Sequence, residues 1–442
     1  MGQQERRAEA LLKDWKGDTY ALGTDVLDKV GAYAARFGKR TMLVVTQYGE
    51  KGGEWFDPFL KEITRSLEAN GMEYGEPVKG AGPNAPREDV YRIALSVAKT
   101  RPDSIIAVGG GSTIDAGKAA SVLAAYAGSD IEPYFGVGQV TKVSEEAGKS
   151  TIPRIAVETA ASSGAHLTKY SNITDPATGI KKLIVDEAII PPAAVFDYRV
   201  TQGAPISLTL DGGLDGIAHC WEVFIGATGK CYYEEIEEIT ETSVKLIVEN
   251  LPKAMADPND LDARVALGLG TDLGGYAIMI GKKNPKTGEM ERGGTNAGHL
   301  GSFQLTRYLA HGRACAVLNP YYVVLFAKAI EPQNRTVGAI FQEAGFICGG
   351  VNLDQIGGRK LARIVAEGMI AFSRKLGFPT TLKEAGVPEE HIAVMVEAAK
   401  NPQLKMKLQN MPAPMDVERG DVDALMRPTL EAAYSGDLSL IP

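Results

Sequence analysis

The chain has 442 residues, about three times the size of one usual domain, so two domains are expected. Hydrophobic residues make up 44% and charged residues 23%, the balance of a folded globular protein and not of a disordered one. Lys and Arg number 47 against 55 Asp and Glu, and the formal charge of −8 argues against a nucleic-acid partner or an anionic membrane surface.

The opening segment MGQQERRAEALLKDWKGD is charged throughout and lacks the apolar core of a signal peptide. No run reaches the ~18 apolar residues of a membrane helix. A cytoplasmic protein is expected, with Cys220, Cys231, Cys315 and Cys348 reduced and buried as small hydrophobes.

The first 200 residues alternate between two patterns. Short β-branched runs at Thr41–Thr46, Ser104–Val108, Arg154–Val157 and Ala193–Phe196 read as buried strands. Asp25–Phe37, Pro58–Asn70, Arg87–Lys99 and Thr113–Tyr126 carry a helical period between them. Strand, helix, strand in succession predicts a parallel sheet covered on both faces. Past residue 200 the strand signals fade, and Gly212–Gly226, Glu234–Leu251, Asp260–Ile280, Tyr321–Ile330 and Gly358–Leu376 predict helices. Lys282–Gly294 is polar, with Pro and Gly, and reads as a surface loop. The expected organisation is an α/β domain over 1–200, built on a Rossmann-like parallel sheet, and an all-helical domain over 201–442.

Val108 runs into Gly109-Gly110-Gly111-Ser112-Thr113-Ile114-Asp115-Ala116-Gly117-Lys118. A strand, three glycines and a helix start form either a bare tight turn or a phosphate cradle of exposed backbone amides. The segment is neither of the two common phosphate-loop motifs, but Asp115 and Lys118 close behind Ser112 favour a functional loop.

The histidines are His166, His219, His299, His311 and His391. Asp215 and His219 stand four apart, one above the other on a helix face, which suits two ligands of one cation. His299 and His311, twelve residues apart, offer two more imidazoles. Three histidines and a carboxylate suit Fe²⁺ or Zn²⁺, although a single histidine is more often a hydrogen-bonded core residue. His391 follows Pro388-Glu389-Glu390 and reads as a solvated helix start; His166 either faces a site or fills space.

Taken together these segments resemble the iron-containing (group III) alcohol dehydrogenase family, as a divergent branch. The resemblance runs from Tyr20-Ala21-Leu22-Gly23 through Asn84-Ala85-Pro86, the GGGSTIDAGK stretch and the Asp215–His219–Glu222 helix to His299 and His311. It implies an N-terminal dinucleotide-binding domain and a helical domain holding a metal, Fe²⁺ first and Zn²⁺ second. The implied activity is hydride transfer between NAD or NADP and a small alcohol or carbonyl substrate activated by that metal. The implied metal ligands are Asp215, His219, His299 and His311. Cofactor contacts fall on Gln47, Asn84, Gly109, Gly110, Gly111, Ser112, Lys118, Thr159, Ser163 and Lys182, with catalytic roles for Asp115 and for His166 as proton carrier. A homo-oligomer, a dimer or larger, is usual for such a family.

The sequence departs from the family pattern at three places. His166 stands where the family segment closes on Glu. Phe303 replaces an additional histidine found in many members. The spacing from His299 to His311 is short. Gln47 occupies a position where many NAD-using relatives carry Asp, and its lack of charge leans toward NADP, although Glu50 nearby restores some repulsion. The competing expectations are a dehydroquinate-synthase-like or glycerol-dehydrogenase-like enzyme of the same fold, or a catalytically silent metal- or nucleotide-binding protein.

Overall fold

The computed structural model describes residues 2–51 and 53–442. Twelve strands are numbered in chain order: β1 Tyr20–Gly23, β2 Arg40–Val45, β3 Glu73–Tyr74, β4 Val78–Lys79, β5 Ser104–Gly109, β6 Gly136–Val137, β7 Arg154–Glu158, β8 Tyr170–Asp175, β9 Ile180–Val185, β10 Ala193–Asp197, β11 Gly281–Lys283 and β12 Met290–Arg292. Six α-helices precede residue 200: α1 Gln3–Lys16, α2 Lys29–Ala35, α3 Asp57–Ala69, α4 Arg87–Thr100, α5 Gly111–Ala125 and α6 Gln139–Ala147. Ten follow: α7 Ile206–Ile225, α8 Tyr233–Ala256, α9 Leu261–Met279, α10 Ala297–Ser302, α11 His311–Leu325, α12 Glu331–Glu343, α13 Gly358–Lys375, α14 His391–Ala399, α15 Lys405–Gln409 and α16 Arg427–Ser435.

The chain divides into two compact units, one of Leu12–Pro205 with Asn259–Gly268, the other of the N-terminal residues to Leu11, Ile206–Pro258 and Leu269–Pro442. In the α/β unit a parallel sheet runs in the order β1-β10-β7-β5-β2-β3, with β4 also pairing β2. All six residues of β5 and all five of β7 and β10 are buried, as expected of strands covered on both faces. Ile105, Val44, Val90, Ile93 and Ala119 join one apolar cluster that seats α4 and α5 on the sheet. A second sheet, β6-β9-β8, contains the antiparallel hairpin β8–β9. The sequence reading missed that hairpin, because four residues of β8 and four of β9 are only partly buried or exposed and the apolar period is broken.

The other unit is helical except for the hairpin β11–β12, which occupies the segment expected to be a loop. In α7 every side chain from Gly212 to Ile225 is buried, so this helix is the centre of its unit, apolar around nearly its whole circumference. The helix expected from Tyr321 begins at His311 instead, with Pro320 carried inside it. The Asn319-Pro320 step reads as a break because proline removes a backbone donor, yet the surrounding core holds the helix through it. Cys220 and Cys315 are buried as expected, whereas Cys231 is half-buried and Cys348 exposed. Among the described residues no helix is long and apolar enough to cross a membrane.

Candidate active site

The glycine loop lies at the C-terminal end of β5, flanked by the ends of β2 and β7. A Cβ on Gly109 would fall 2.7 Å from Thr113 Cβ and 3.0 Å from Thr46 Cβ, and one on Gly111 would fall 2.7 Å from Ser163 Oγ. These contacts bring Thr46, Thr113 and Ser163 around the loop and leave no room for side chains. Gly110 is the N-cap of α5 and no side chain caps it, so the positive end of the helix is open to an anion. Ser112 Oγ accepts from Asn84 N at 3.1 Å, and Lys181 Nζ donates to Asn84 Oδ1 at 3.2 Å. Gln47 sits in a left-handed turn (φ 52°) with its Oε1 3.4 Å from Trp55 Nε1. Glu50 is ion-paired to Lys79, which offsets its charge.

Four expected residues have partners within the α/β unit. Lys118, buried, donates to the carbonyls of Thr168 (2.9 Å) and Tyr170 (2.7 Å). Asp115 accepts from Asn172 N at 2.9 Å. Both tie α5 to β8 and the residues just before it. Lys182 pairs with Glu132 at 2.6 Å; adjacent residues of a strand point to opposite faces, and it is Lys181 that reaches the loop. His166 is 1% exposed, with Nδ1 3.0 Å from Glu158 Oε2 and Nε2 3.1 Å from the Tyr20 hydroxyl. Glu158 Oε1 in turn accepts from the amides of Thr159 and Ala160, so His166 braces the segment beside the glycine loop. The signal for Lys181 was its place one residue from Lys182 on an alternating strand. Nothing in the sequence marked Glu158 as the partner of His166.

In the helical unit Asp215, His219, His299 and His311 converge. Asp215 Oδ1 is 3.8 Å from His219 Nε2, 3.7 Å from His299 Nε2 and 3.6 Å from His311 Nε2. Those separations are too long for hydrogen bonds, and Asp215 Oδ1 and His299 Nε2 are buried without a partner. Four N and O donors in a tetrahedron around Zn²⁺ or a similar cation lie roughly 3.4 Å apart, so the donor set fits a divalent metal. Burial pushes the Asp215 carboxyl up, but the surrounding imidazoles hold it below the usual carboxylate range. Burial also holds His299 well below its ordinary value, helped by His219 and Lys407.

The outer ring nitrogens of His299 and His311 are fixed as well. His299 Nδ1 meets Glu222 Oε1 at 2.8 Å and His311 Nδ1 meets Ser302 Oγ at 3.1 Å, which orients both rings with Nε2 inward. Glu222, fully buried, also accepts from Asn296 N at 2.7 Å and Asn319 Nδ2 at 3.2 Å. Asp215, His219 and Glu222 share one face of α7 at i, i+4 and i+7. Asp215, His299, His311 and Cys315 also present donor atoms within 4.8 Å of one another. Cys315 Sγ approaches His299 from its outer nitrogen, at 3.7 Å, so the three inward Nε2 atoms and Asp215 define the centre. Gly312 permits the meeting of the two ligand-bearing helices: a Cβ there would fall 1.9 Å from Asp211 O of α7. Phe303 lies nearly parallel to the His311 ring at 6.3 Å and offers no proton carrier. His391, expected to be solvated, is bound to Gln304 O at 2.8 Å.

The model of the iron-containing alcohol dehydrogenase family matches residues 18–198, and that of its C-terminal domain matches residues 209–429. The chain belongs to the iron-containing alcohol dehydrogenase family. It is thus an NAD(P)-dependent alcohol oxidoreductase of the metal-dependent class. A NAD-dependent methanol dehydrogenase of Bacillus methanolicus is 26% identical over 391 residues, covering 86% of this chain and 90% of the relative. Long-chain-alcohol dehydrogenase 1 of Geobacillus thermodenitrificans is 24% identical over 432 residues, covering 94% and 95%. The alcohol dehydrogenase from Oenococcus oeni superposes with a TM-score of 0.76 at 25% identity, covering 94% of this chain and 98% of that one.

Proposed function

We propose that the enzyme interconverts a small alcohol and its aldehyde, with the cation held by Asp215, His219, His299 and His311 and with Fe²⁺ its first choice over Zn²⁺. The observation that supports this reading most is the set of inward donors gathered at 3.6–3.8 Å around one carboxylate oxygen, of which Asp215 Oδ1 and His299 Nε2 are buried without a hydrogen bond. Such a cation supplies Lewis acidity to the oxygen of the alcohol or carbonyl. The protein's own contribution is to fix the His299 and His311 rings through Glu222 and Ser302 and to bury every ligand side chain but that of His311, which is 29% exposed.

The region to about residue 200 serves as the dinucleotide-binding domain and the rest as the metal and substrate domain. The pyrophosphate rests on the amides of Gly109, Gly110, Gly111 and Ser112, with Asn84, Lys181, Thr159 and Ser163 around it. Asp115, Lys118 and His166 position this loop and take no part in proton transfer, and Lys182 supports the neighbouring hairpin. Gln47 leaves the ribose side uncharged, and the pairing of Glu50 with Lys79 offsets the remaining negative charge, which favours NADP. Relatives named for NADPH and for NADH both occur, an NADPH-dependent butanol dehydrogenase of Clostridium saccharobutylicum and an NADH-dependent butanol dehydrogenase B of Clostridium acetobutylicum. A cytoplasmic homo-oligomer completes the reading.

The test is reconstitution of the metal-free chain with Fe²⁺ and separately with Zn²⁺, followed by reduction of a panel of short aldehydes with each nicotinamide. Net oxidation of the nicotinamide is expected, strongest with Fe²⁺ and NADPH. A lyase of the same fold would leave the cofactor unchanged overall. His311→Ala is expected to lose bound metal and activity together while keeping its circular dichroism; full metal content in that variant would refute the ligand assignment.

A further inference from the structure

The short helix α15 contributes a buried lysine that no sequence motif singled out. Lys407 is 7% exposed, donates to Thr295 Oγ1 and lies 5.5 Å from the centre of the Phe303 ring. Three residues on, Asn410 accepts from Asn296 Nδ2 and donates to Thr295 O, both at 3.3 Å. Thr295 and Asn296 lead directly into α10, and Asn296 Oδ1 caps that helix through Ala297 N at 2.7 Å. Asn296 also holds Glu222 twice, through its own N to Oε2 (2.7 Å) and through Nδ2 to Glu222 O (2.6 Å). The far end of this relay is the Glu222–His299 pair at 2.8 Å.

We infer that Lys407 is a positioning residue of the metal centre, which balances the buried Glu222 and locks the entry to α10 so that His299 keeps its inward nitrogen on the cation. The physical need is plain. A buried carboxylate requires a counter-charge as well as hydrogen bonds, and Glu222 otherwise has only amides and an imidazole around it. The positive charge of Lys407 lies at one end of the hydrogen-bonded chain that runs through Thr295 and Asn296 to Glu222 and His299. Lys407 touches neither substrate nor cofactor in this reading; it acts through Thr295, Asn296 and Glu222. The inference rests on the proposed ligand set.

The experiment is equilibrium binding of Co²⁺ to the metal-free full chain, in competition with a chromophoric chelator, with the melting temperature of each metal-free chain recorded alongside. Lys407→Met is expected to weaken Co²⁺ binding by about 10–100-fold. Lys407→Arg restores it to within a few-fold, since the positive charge returns. Glu222→Gln added to Lys407→Met costs little more than either change alone, because both interrupt one relay. If Lys407→Met fails to fold, Lys407→Gln keeps a donor for Thr295 without the charge and is expected to show the same loss. Unchanged affinity in these variants, no rescue by Arg, or additive losses would overturn the inference. So would a lower melting temperature of the metal-free chain with affinity intact, the signature of packing alone. If His311→Ala binds Co²⁺ as the unsubstituted chain does, the ligand set itself is wrong; if His311→Ala loses Co²⁺ while Lys407→Met keeps it, only the role of Lys407 falls.

Discussion

Gln47 carries the question of cofactor choice on one side chain. Its left-handed backbone (φ 52°) is one that Asp adopts with little strain, so Gln47→Asp changes charge without breaking the turn. A carboxylate there repels a 2′-phosphate and accepts from a ribose hydroxyl. The ratio of kcat/KM for NADPH over NADH is therefore expected to fall by about tenfold or more in the variant. An unchanged ratio would place discrimination elsewhere. Gly312→Ala tests packing at the metal. The new methyl would meet Asp211 O at 1.9 Å, so α11 must shift from α7, with a stability loss of about 1–3 kcal/mol in urea unfolding and reduced metal content. The convergence of Asp215, His219, His299 and His311 was legible from sequence because the residue type is rare, with five histidines in the chain and three of them around one carboxylate. For Asp115, Lys118, Lys182 and His166 the sequence does not separate two roles, because a charged or titratable residue near a motif looks alike whether it faces a ligand or satisfies a buried group. Only the partners at Thr168, Asn172, Glu132 and Glu158 separate the two cases.

Among the elements, the strands β2, β5, β7 and β10 could be read because burial on both faces makes them continuous apolar runs. The hairpin β8–β9 and the small hairpin β11–β12 could not, since short or partly exposed strands carry no continuous apolar run and no clean alternation. Helix α11 was half-read because Pro320 resembles a boundary when its neighbours in space are unknown. The entry to β2 offers a pH test. Asp103 Oδ2 accepts from Lys39 N and Arg40 N, both at 2.9 Å, and these amides hold its carboxyl below the ordinary range. A carboxyl whose folded value is depressed contributes stability that is complete above its unfolded value and vanishes as pH falls through the folded one. Asp103→Asn is thus expected to be less stable than the unsubstituted chain at neutral pH, by about 1 kcal/mol for a partly exposed site. The gap should close in acid, below the ordinary carboxyl value of 3.8. A gap constant from pH 7 to pH 3 would assign the loss to shape and not to charge.

For the whole molecule, a ligand that binds only the folded state raises stability by mass action. Chelation of the cation is expected to lower the melting temperature, and re-addition at about 100 times its dissociation constant to restore ~2.7 kcal/mol. A melting temperature indifferent to chelator would contradict the proposed centre. The division of the chain has its own consequence. Residues 259–268 belong with the α/β unit although they arrive after two helices of the other, and Gly268 lies so close to Tyr198 that a Cβ would fall 2.3 Å from its ring. A fragment ending at Pro205 therefore leaves the Tyr198 ring bare. Chimeras that splice one dehydrogenase's front half onto another's back half at a single joint would import a foreign ten-residue patch against that phenol. Recombination that keeps each unit whole must move residues 259–268 together with the long segment that ends at Pro205.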